Sequence, residues 1–533
     1  MALMVSNVPW TKAGNPRQQL CQHLDVSSEE LVEFELLKRS VDARRRPPVW
    51  QANYRVILQH ESRVLAKNLH GVRAYSARDK KRYQQVQLDL NQDMFPPNHR
   101  TIVIGAGPAG MFGALRFAEG GSNVLLLERG GAVEDRHYHV RDFWRHRKLN
   151  PQSNVVYGEG GAGAFSDGKI YTRRRDGELG WVFRRLVDFG ADPEILEEGW
   201  AHLGTDKIRE ILPNLRNRIV ELGSEVRFDT CVQDLIVENG QCVGIRTNDG
   251  QEERADVVVV ATGHSARDSW RMMLNAGAKA EQRSIRIGAR IEHPQKMIDI
   301  SQYGTVRGEL PAASYRLVSR PSKEGGKRGA HTFCMCPGGT VVGATSEEGR
   351  VVVNGMSYSG RKAYWANSAI IVEVTKEDFG STDPMAGVEF QDRLEQKAFE
   401  LGGGEFNAPA QRVSDFLLEV ASNDLPRTSY TQGVTPSNLW DLFPRPIAEG
   451  LREAIQFFDR KIKGFAGAEG VLIAPETRTT APLCFVRTDK MEADGLPGMM
   501  PIGEGAGYAG GIASAALEGF RAAEIQMQQY QKQ

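Results

Sequence analysis

Short apolar runs that end in glycines or in an acid are the strongest pattern in this chain. One run covers residues 101–104, Thr-Ile-Val-Ile, and residues 105–110 after it read Gly-Ala-Gly-Pro-Ala-Gly. This pattern predicts a buried parallel strand, a tight glycine turn and a helix over residues 111–119. The next apolar run, residues 123–127, ends in Glu128, about 20 residues after the glycines. The order of elements is typical of a dinucleotide-binding βαβ unit.

Each glycine of the turn has a separate role in such a unit. Gly105 allows the tight reversal, Gly107 removes the side chain that would block a pyrophosphate, and Gly110 lets helix and strand pack closely. The phosphates would lie on the helix N-terminus, beside Pro108 and Ala109. The acid after the second run would bind a ribose hydroxyl. The alternative is a structural glycine turn with an ordinary surface glutamate.

A glycine-rich segment over residues 157–169 predicts a second part of the binding site. Its adjacent glycines leave backbone amides open to a ligand, and its serine and lysine add donors for ligand oxygens. The alternative is a mobile surface loop. The candidate binding residues of this segment and of the one before it are Arg129, Gly161, Gly163, Ser166, Gly168 and Lys169.

Two later segments also place small residues where a strand ends. Residues 256–260 predict a fully buried strand, and the Ala-Thr-Gly after it would allow close approach to a dinucleotide. Near the C-terminus a short strand is followed by a glycine and an acid, and then by a small-residue helix. The candidate binding residues are Ala261, Thr262 and Gly263 in the first segment, and Gly503, Glu504, Gly511 and Ile512 in the second.

Length and changes of pattern divide the chain into several predicted domains. At 533 residues the chain is too long for a single hydrophobic core. The middle of the chain alternates strand-like pieces, including residues 314–318, with loops and one long helix, which predicts an inserted, mostly antiparallel domain. The predicted order is a small basic α+β domain (1–93), a linker (94–100), the first part of a dinucleotide-binding domain (101–280), the inserted substrate or cap domain (281–465) and the C-terminal part of the dinucleotide-binding domain (466–533).

The N-terminal residues combine strand patterns with positive charge. Residues 27–30, Ser-Ser-Glu-Glu, predict a capping box that opens a short helix, and residues 34–43 and 50–59 predict strands. Arginine and lysine recur in residues 38–46 and 78–82. Such a surface either binds RNA or a protein partner or is a solvated charged face.

Composition limits the compartment and the kinds of partner. Lys plus Arg and Asp plus Glu both number 67, so the net charge of zero does not indicate steering toward nucleic acid or an anionic membrane. No apolar run approaches the roughly 18 residues of a membrane helix, and residues 1–14 do not match a secretory signal. The six cysteines match neither a disulfide framework nor a zinc site. We expect a cytoplasmic protein with reduced thiols, no metal and no membrane contact.

The glycine turn with its acid, the Ala-Thr-Gly strand end and the C-terminal Gly-Glu turn together resemble the FAD-dependent oxidoreductases of the two-dinucleotide-binding-domain, glutathione-reductase-like class. The chain is similar to a group of bacterial FAD-dependent dehydrogenases whose substrate is unassigned. The resemblance covers nearly the whole chain, including residues 332–339 and 475–479. It implies an α/β fold in which a Rossmann-like FAD-binding domain carries an inserted, mostly antiparallel β-rich substrate domain and a small α+β N-terminal domain.

The resemblance also implies roles for single residues. Glu128 would hold the adenosine ribose, the backbone near Val232 would meet the adenine, and Glu504 would bind the ribityl chain. Relatives usually carry aspartate at the last position, so the carboxylate here reaches one methylene further. The helix that starts at Ile512 would direct its N-terminus at the flavin pyrimidine ring, where its partial positive charge stabilises the anionic reduced flavin.

A second dinucleotide fingerprint is not found after any predicted strand. Gly464, Gly467 and Gly470 have the wrong spacing, and residues 402–404 follow a helical stretch. A dedicated NAD(P)H domain is therefore not expected. Either the substrate reduces the flavin, or a pyridine nucleotide such as NAD(P)H or a partner protein docks transiently.

Two cysteines in the inserted domain are candidate redox groups. Residues two apart in an extended strand lie on one face about 6.6 Å apart, near the upper limit for a disulfide. Closure between Cys334 and Cys336 would therefore need a turn or strain. The two residues are either a working dithiol or structural, flavin-adjacent thiols.

Other side chains are candidates for binding substrate or moving a proton. Arg478 would either bind a substrate carboxylate in bidentate fashion or form an internal ion pair with Glu476 or another acid. His264 is either a proton donor or a structural histidine, as are the histidines of the inserted domain. Lys169, in the glycine-rich segment, is a further candidate.

The predicted function is that of an FAD-dependent oxidoreductase that moves a hydride between flavin N5 and an unidentified small-molecule substrate. One alternative is a flavin-dependent RNA-modifying enzyme that holds RNA with the basic N-terminal domain. Another is a non-enzymatic redox sensor or docking protein in which FAD is a structural or sensing element.

Overall fold

The described residues between 2 and 83 form a small unit in which helices pack on one antiparallel sheet. The computed structural model describes residues 2–11, 14–44, 47–83, 94–170, 177–197, 202–308, 310–320 and 328–531. The sheet of the N-terminal unit has the strand order β2-β3-β1-β4. Its elements are β1 (Leu3–Pro9), α1 (Pro16–Leu24), β2 (Leu31–Asp42), β3 (Val49–Leu58), α2 (Glu61–Ala66), β4 (Val72–Ala74) and α3 (Ala77–Tyr83).

The predicted helix after the capping box is wrong. Both hydrogen bonds of the box are present, because the Ser27 amide donates to Glu30 at 2.9 Å and the Glu30 amide donates to Ser27 Oγ at 3.3 Å. The chain then enters β2 at Leu31, where an alternating apolar pattern pairs with β3. Pairing across the sheet therefore overrides the local capping signal.

A five-stranded parallel sheet forms the centre of the next region. Its strand order is β23-β11-β5-β6-β7, and a three-stranded antiparallel sheet of order β10-β9-β8 lies against it. Helix α4 follows the glycine turn after β5. The elements are β5 (Arg100–Ile104), α4 (Pro108–Glu119), β6 (Asn123–Leu127), α5 (Val133–His146), a 3₁₀ helix (Gly161–Phe165), α6 (Leu179–Asp188), a 3₁₀ helix (Pro193–Leu196), α7 (Thr205–Glu221), β7 (Glu225–Arg227), β8 (Val232–Glu238), β9 (Gln241–Thr247), β10 (Glu252–Arg254), β11 (Val257–Val260) and α8 (Arg267–Asn275).

A seven-stranded sheet of order β14-β15-β18-β13-β21-β19-β20 organises the middle of the chain. All of its pairs are antiparallel except β19 with β20. The elements are β12 (Ala280–Gln282), β13 (Ile285–Pro294), α9 (Gln295–Tyr303), β14 (Val318–Ser319), β15 (Ala330–Cys336), β16 (Thr340–Gly343), β17 (Val353–Met356), β18 (Trp365–Val374), a 3₁₀ helix (Lys376–Phe379), α10 (Ala386–Leu401), β19 (Ala408–Arg412), α11 (Val413–Leu417), β20 (Val434–Pro436), α12 (Leu439–Leu442), α13 (Arg445–Asp459) and β21 (Val471–Glu476).

The end of the chain returns to the parallel sheet. Strand β23 (Met499–Pro501) pairs with β11, and helix α14 (Ile512–Tyr530) packs on α4. A Cβ added to Gly519 would lie 2.0 Å from the carbonyl oxygen of Ala109, so only glycine allows the two helices to approach this closely. The remaining strand, β22 (Leu483–Phe485), pairs with β12.

One predicted domain boundary and one predicted strand differ from the structure. Strand β21 begins at Val471 and pairs with β13 and β19, so the seven-stranded sheet extends past the predicted boundary at residue 465. The strand predicted over residues 314–318 is limited to Val318 and Ser319, because pairing with β15 occurs only there. No helix in the described part of the chain is long and apolar enough to cross a membrane.

Candidate functional site

A cavity of about 760 Å³ lies between the carboxyl ends of the parallel strands and strand β15 of the seven-stranded sheet. This volume is within the range of small-molecule sites, about 300–1,000 Å³. Two of the predicted binding residues, Gly110 and Gly503, lie at the turns around the cavity and not on its wall. The other predicted binding residues all line it, namely Gly105, Gly107, Pro108, Ala109, Glu128, Arg129, Gly161, Gly163, Ser166, Gly168, Lys169, Val232, Ala261, Thr262, Gly263, Glu504, Gly511 and Ile512.

The glycine turn after β5 has the geometry that its sequence predicts. Gly105 has φ +102°, and a Cβ there would lie 2.7 Å from the carbonyl oxygen of Ala261. A Cβ on Gly110 would lie 1.8 Å from the carbonyl oxygen of Gly105. At Gly107 the nearest atom to an added Cβ is the Gly161 Cα at 3.9 Å, so this position opens into the cavity. The missing side chain leaves a cradle at the start of α4, where an anionic phosphate is favoured.

Glu128 is buried and serves as an acceptor for three backbone amides. Its carboxylate accepts hydrogen bonds from Ala106 at 2.7 Å, Gly130 at 3.0 Å and Gly158 at 2.9 Å. The acid therefore joins the glycine turn to the glycine-rich segment and also lines the cavity. The alternative of an ordinary surface glutamate is wrong.

The glycine-rich segment is fixed by an arginine that sequence reasoning missed. Arg136, on α5, is fully buried and donates to the carbonyl oxygens of residues 154, 155, 158, 159 and 161. The Gly160 amide also donates to the Ala106 carbonyl at 2.7 Å. The alternative of a mobile surface loop is therefore wrong. No motif marks Arg136, because its partners lie in a different element.

Lys169 belongs to a polar group on the cavity wall. Its Nζ lies 3.0 Å from Asp167 Oδ2 and also donates to the carbonyl oxygen of Met335. Ser357 Oγ donates to the other Asp167 oxygen. Burial opposes ionisation of Asp167, but the neighbouring charge of Lys169 lowers the pKa of this carboxyl well below its usual range. Lys169 is therefore held as a cation against β15.

The expectation of an extended strand at Cys334 and Cys336 is wrong. Register with β18 shifts between Phe333 and Cys336, and Cys334 has φ +42°, which is the left-handed region. This bulge turns the Cys336 thiol back to the Cys334 carbonyl oxygen at 3.2 Å. Both thiols are free, Cys334 lines the cavity, and Cys336 is fully buried behind it.

Arg478 lines the cavity but is held by an internal ion pair. Its Nε and Nη2 donate to Glu395 at 3.0 and 2.7 Å, and its Nη1 donates to Ser346 Oγ at 2.8 Å. Of the two roles predicted for Arg478, the structure therefore supports the internal pair. Glu476, the acid named for that pair, instead accepts from Arg290.

The histidine candidates differ in position and protonation. Burial, with the nearby charge of Arg478, lowers the pKa of His264 on the cavity wall to about 4, so this ring is neutral at pH 7. His293 bonds to the Phe465 carbonyl oxygen at 2.9 Å in the core of the seven-stranded sheet. His331 lines the cavity.

Two buried acids at the cavity have raised pKa values that the sequence does not indicate. Burial raises the pKa of Glu504 to about 8 against the opposing charge of Arg283. Burial likewise raises the pKa of Glu476 to about 7 against Arg290. Both side chains line the cavity, and perturbed pKa values of this kind are typical of groups at functional sites.

Several basic side chains of the N-terminal unit are paired. Arg39 pairs with Glu194, Arg44 with Asp42, and Arg73 with Asp79. Arg78 and Lys80 are exposed. The predicted basic residues Arg45 and Arg46, and the side chains of Lys81 and Arg82, lie outside the described residues.

Three family models match separate parts of the chain. A model described as "FAD-dependent protein, C-terminal domain-like" matches residues 284–479, and a model described as "FAD binding domain" matches residues 100–140. A domain of unknown function matches residues 12–58. The FAD-binding model covers the glycine turn and Glu128, so the chain is an FAD-binding protein.

Relatives of the whole chain and of its parts are also found. A protein of Clostridium beijerinckii, named as an uncharacterized protein, is 39% identical over 511 residues, which are 95% of this chain and 94% of that protein. Thiamine thiazole synthase of Aeropyrum pernix is 29% identical over 199 residues, 34% of this chain and 59% of that protein. The structure of the flavin-dependent brominase Bmp2 is 14% identical, with 82% of this chain and 80% of that chain covered and a TM-score of 0.37, and this likeness carries no conclusion here.

Proposed function

We propose that this chain, which belongs to the same protein family as the Clostridium beijerinckii protein, transfers a hydride between flavin N5 and a small organic substrate in the cavity. The chain is an FAD-dependent oxidoreductase, and FAD supplies the two-electron chemistry. The convergence of three distant segments on one cavity carries the proposal. These are the glycine turn, the end of β11 and the turn before α14.

The residues present fit a dinucleotide. Gly107 leaves an open cradle at the N-terminus of α4, where phosphate groups would lie. Glu128 would bind the adenosine ribose with an oxygen that already holds the surrounding amides in place. At the other end, Glu504 and the start of α14 at Ile512 would hold the ribityl chain and the flavin ring.

The chain's own contribution is orientation, exclusion of water and control of protons. The seven-stranded sheet closes the cavity opposite the glycine turn with β15. Glu476, whose pKa of about 7 results from burial, would exchange a proton with the substrate near neutral pH. Arg478 would shape the cavity wall and would not bind the substrate directly, since its guanidinium is already bonded to Glu395 and Ser346.

A screen of metabolites for anaerobic loss of flavin colour tests the proposal. The FAD-loaded protein would be mixed with single compounds, with NAD(P)H in a parallel set, and the visible absorption of the flavin followed. We expect at least one organic compound to bleach the flavin rapidly and to be recovered oxidised. A protein that binds FAD, but whose oxidised flavin is bleached by no metabolite and whose flavin, once reduced anaerobically by NAD(P)H or dithionite, is recoloured by none, would contradict substrate oxidation or reduction at this site.

A further inference from the structure

The bulge in β15 brings two free thiols together at the cavity wall. Cys334 lines the cavity, and the left-handed backbone at this residue folds Cys336 back toward it. The Cys336 thiol lies within hydrogen-bonding reach of both the carbonyl oxygen and the thiol of Cys334. The separation expected for an extended strand therefore does not apply to this pair.

Two cations lie beside the thiol pair. Arg290, fully buried, donates through Nη1 to the Cys334 carbonyl oxygen at 2.8 Å, and the same nitrogen lies 3.9 Å from Cys336 Sγ. The Lys169 ammonium donates to the carbonyl of Met335, between the two cysteines. A hydrogen bond from Cys336, opposed by burial and assisted by Lys169 and Arg290, lowers the pKa of Cys334 to about 5. One thiolate and one thiol therefore lie side by side at neutral pH.

The thiol pair is at the end of the cavity where the C-terminal turn lies. The charge of Cys334 acts on Glu504 and on Glu476, both on the cavity wall. Glu128 marks the other end, and its contacts are with the glycine turn and the glycine-rich segment. Cys334 thus faces the part of the cavity assigned to the flavin ring in the proposed function, and Cys336 lies behind it.

We propose that Cys334 and Cys336 form a redox-active dithiol–disulfide couple that exchanges two electrons with the bound FAD. This inference rests on the proposed function, since it needs the flavin as oxidant. The Cys334 thiolate and the Cys336 thiol form the S–S bond as the S–H bond of Cys336 breaks. The pair loses two electrons and one proton, and the oxidised flavin takes up the same two electrons and one proton. The reverse transfer opens the disulfide.

Peptide mapping tests whether the disulfide forms. Trypsin releases residues 329–350 as one peptide that contains Cys334 and Cys336 and no other cysteine. The air-oxidised, FAD-loaded protein is denatured in iodoacetamide and digested, and the masses of its peptides are measured by mass spectrometry. We expect this peptide to carry no label and to lack two hydrogens, and to carry two labels after reduction. A peptide that carries two labels in both states would overturn the couple.

A reductive titration tests electron exchange with the flavin. Wild-type protein with one FAD should take up four electrons from dithionite, two for the disulfide and two for the flavin. C334S and C336S should take up two, and the control C21S, altered in the N-terminal helix α1, should still take up four. In the apoprotein the disulfide peptide should gain labels more slowly under the same dithionite. A wild-type uptake of two electrons would overturn the couple while leaving FAD binding intact.

The two proposals fail in different ways. Protein that remains without FAD after incubation contradicts the proposed function, and peptide mapping of the apoprotein still shows whether the thiols pair. Protein that binds FAD and is bleached by a metabolite, but keeps two free thiols, supports the proposed function and overturns the couple.

Discussion

The Ala106 amide donates a 2.7 Å hydrogen bond to the buried carboxylate of Glu128, which joins the turn after β5 to the end of β6. The other carboxylate oxygen accepts from the amides of Gly130 and Gly158. The acid expected to hold a ribose is therefore also the group that shapes the turn.

Replacement of Glu128 by glutamine should weaken both the fold and FAD binding. Glutamine has one acceptor oxygen, so a buried amide on one side would face an NH₂ group, at a cost of about 1–3 kcal/mol. Urea unfolding of the apoprotein and an FAD titration would measure the two effects. The control is Glu221→Gln on the surface of α7, which should change neither. Wild-type stability in E128Q would contradict the shaping role.

Substitutions at Gly107 and Gly110 should affect different properties, FAD affinity at Gly107 and stability at Gly110. Gly107 has φ −74° and ψ 179°, which alanine adopts freely, and its added methyl would enter the cavity. G107A should keep wild-type stability and lose about tenfold or more in FAD affinity, about 1.4 kcal/mol.

In G110A the methyl would collide with the Gly105 carbonyl, which should cost about 1–3 kcal/mol of stability. Thermal unfolding and FAD titration distinguish the two variants, with the turn variant Gly360→Ala as control. Unchanged FAD affinity in G107A would place the pyrophosphate elsewhere.

Removal of the Glu395 carboxylate should strongly destabilise the protein. Glu395 is fully buried and binds Arg267 and Arg478, which lower its pKa to about 2 against the opposing effect of burial. Glu395→Gln leaves both cations short of a partner, and we expect a loss of about 3–5 kcal/mol. Urea unfolding would measure the loss, with exposed Glu389→Gln on the same helix as control. A loss of folding free energy in E395Q no larger than that in the control would contradict a stabilising role for the Glu395 carboxylate.

Alkylation of Cys334 should hardly depend on pH. Because its pKa is about 5, the thiolate is the main form throughout pH 6.5–8.5, whereas an ordinary thiol reacts about fiftyfold faster at the upper end of this range. The rate is measured on the peptide over residues 329–350 from the reduced apoprotein. In Cys336→Ala, which lacks the hydrogen-bond donor, the pKa should rise and the pH dependence return. A wild-type rate that increases steeply with pH would show an ordinary thiol.

Local patterns predict the parts of the site whose partners are close in sequence. The spacing of Gly105, Gly107 and Gly110 predicts which backbone positions lack a side chain. The structure leaves no room for a Cβ at Gly105 and Gly110, and it leaves Gly107 open to the cavity. The apolar run before Glu128 likewise predicts β6 from adjacent residues alone. Signals of this kind need only one strand, one turn and one helix.

Long-range partners could not be predicted. Arg478 binds Glu395 at a distance of 83 residues along the chain, whereas the sequence could name only its neighbour Glu476 or another, unspecified acid. Arg136 is one arginine among several on a basic helix, and only the folded loop shows why it is buried. The bulge at Cys334 arises because β15 has one residue more than β18 between paired positions, which an alternating pattern does not reveal.

A crystal structure of the protein with FAD tests the central claim most directly. We expect the adenosine ribose within hydrogen-bonding distance of Glu128, the pyrophosphate at Gly107, and the flavin ring between Ile512 and the side chains of Lys169 and Cys334. FAD bound outside this cavity, or bound with its adenine end beside Cys334, would contradict the account.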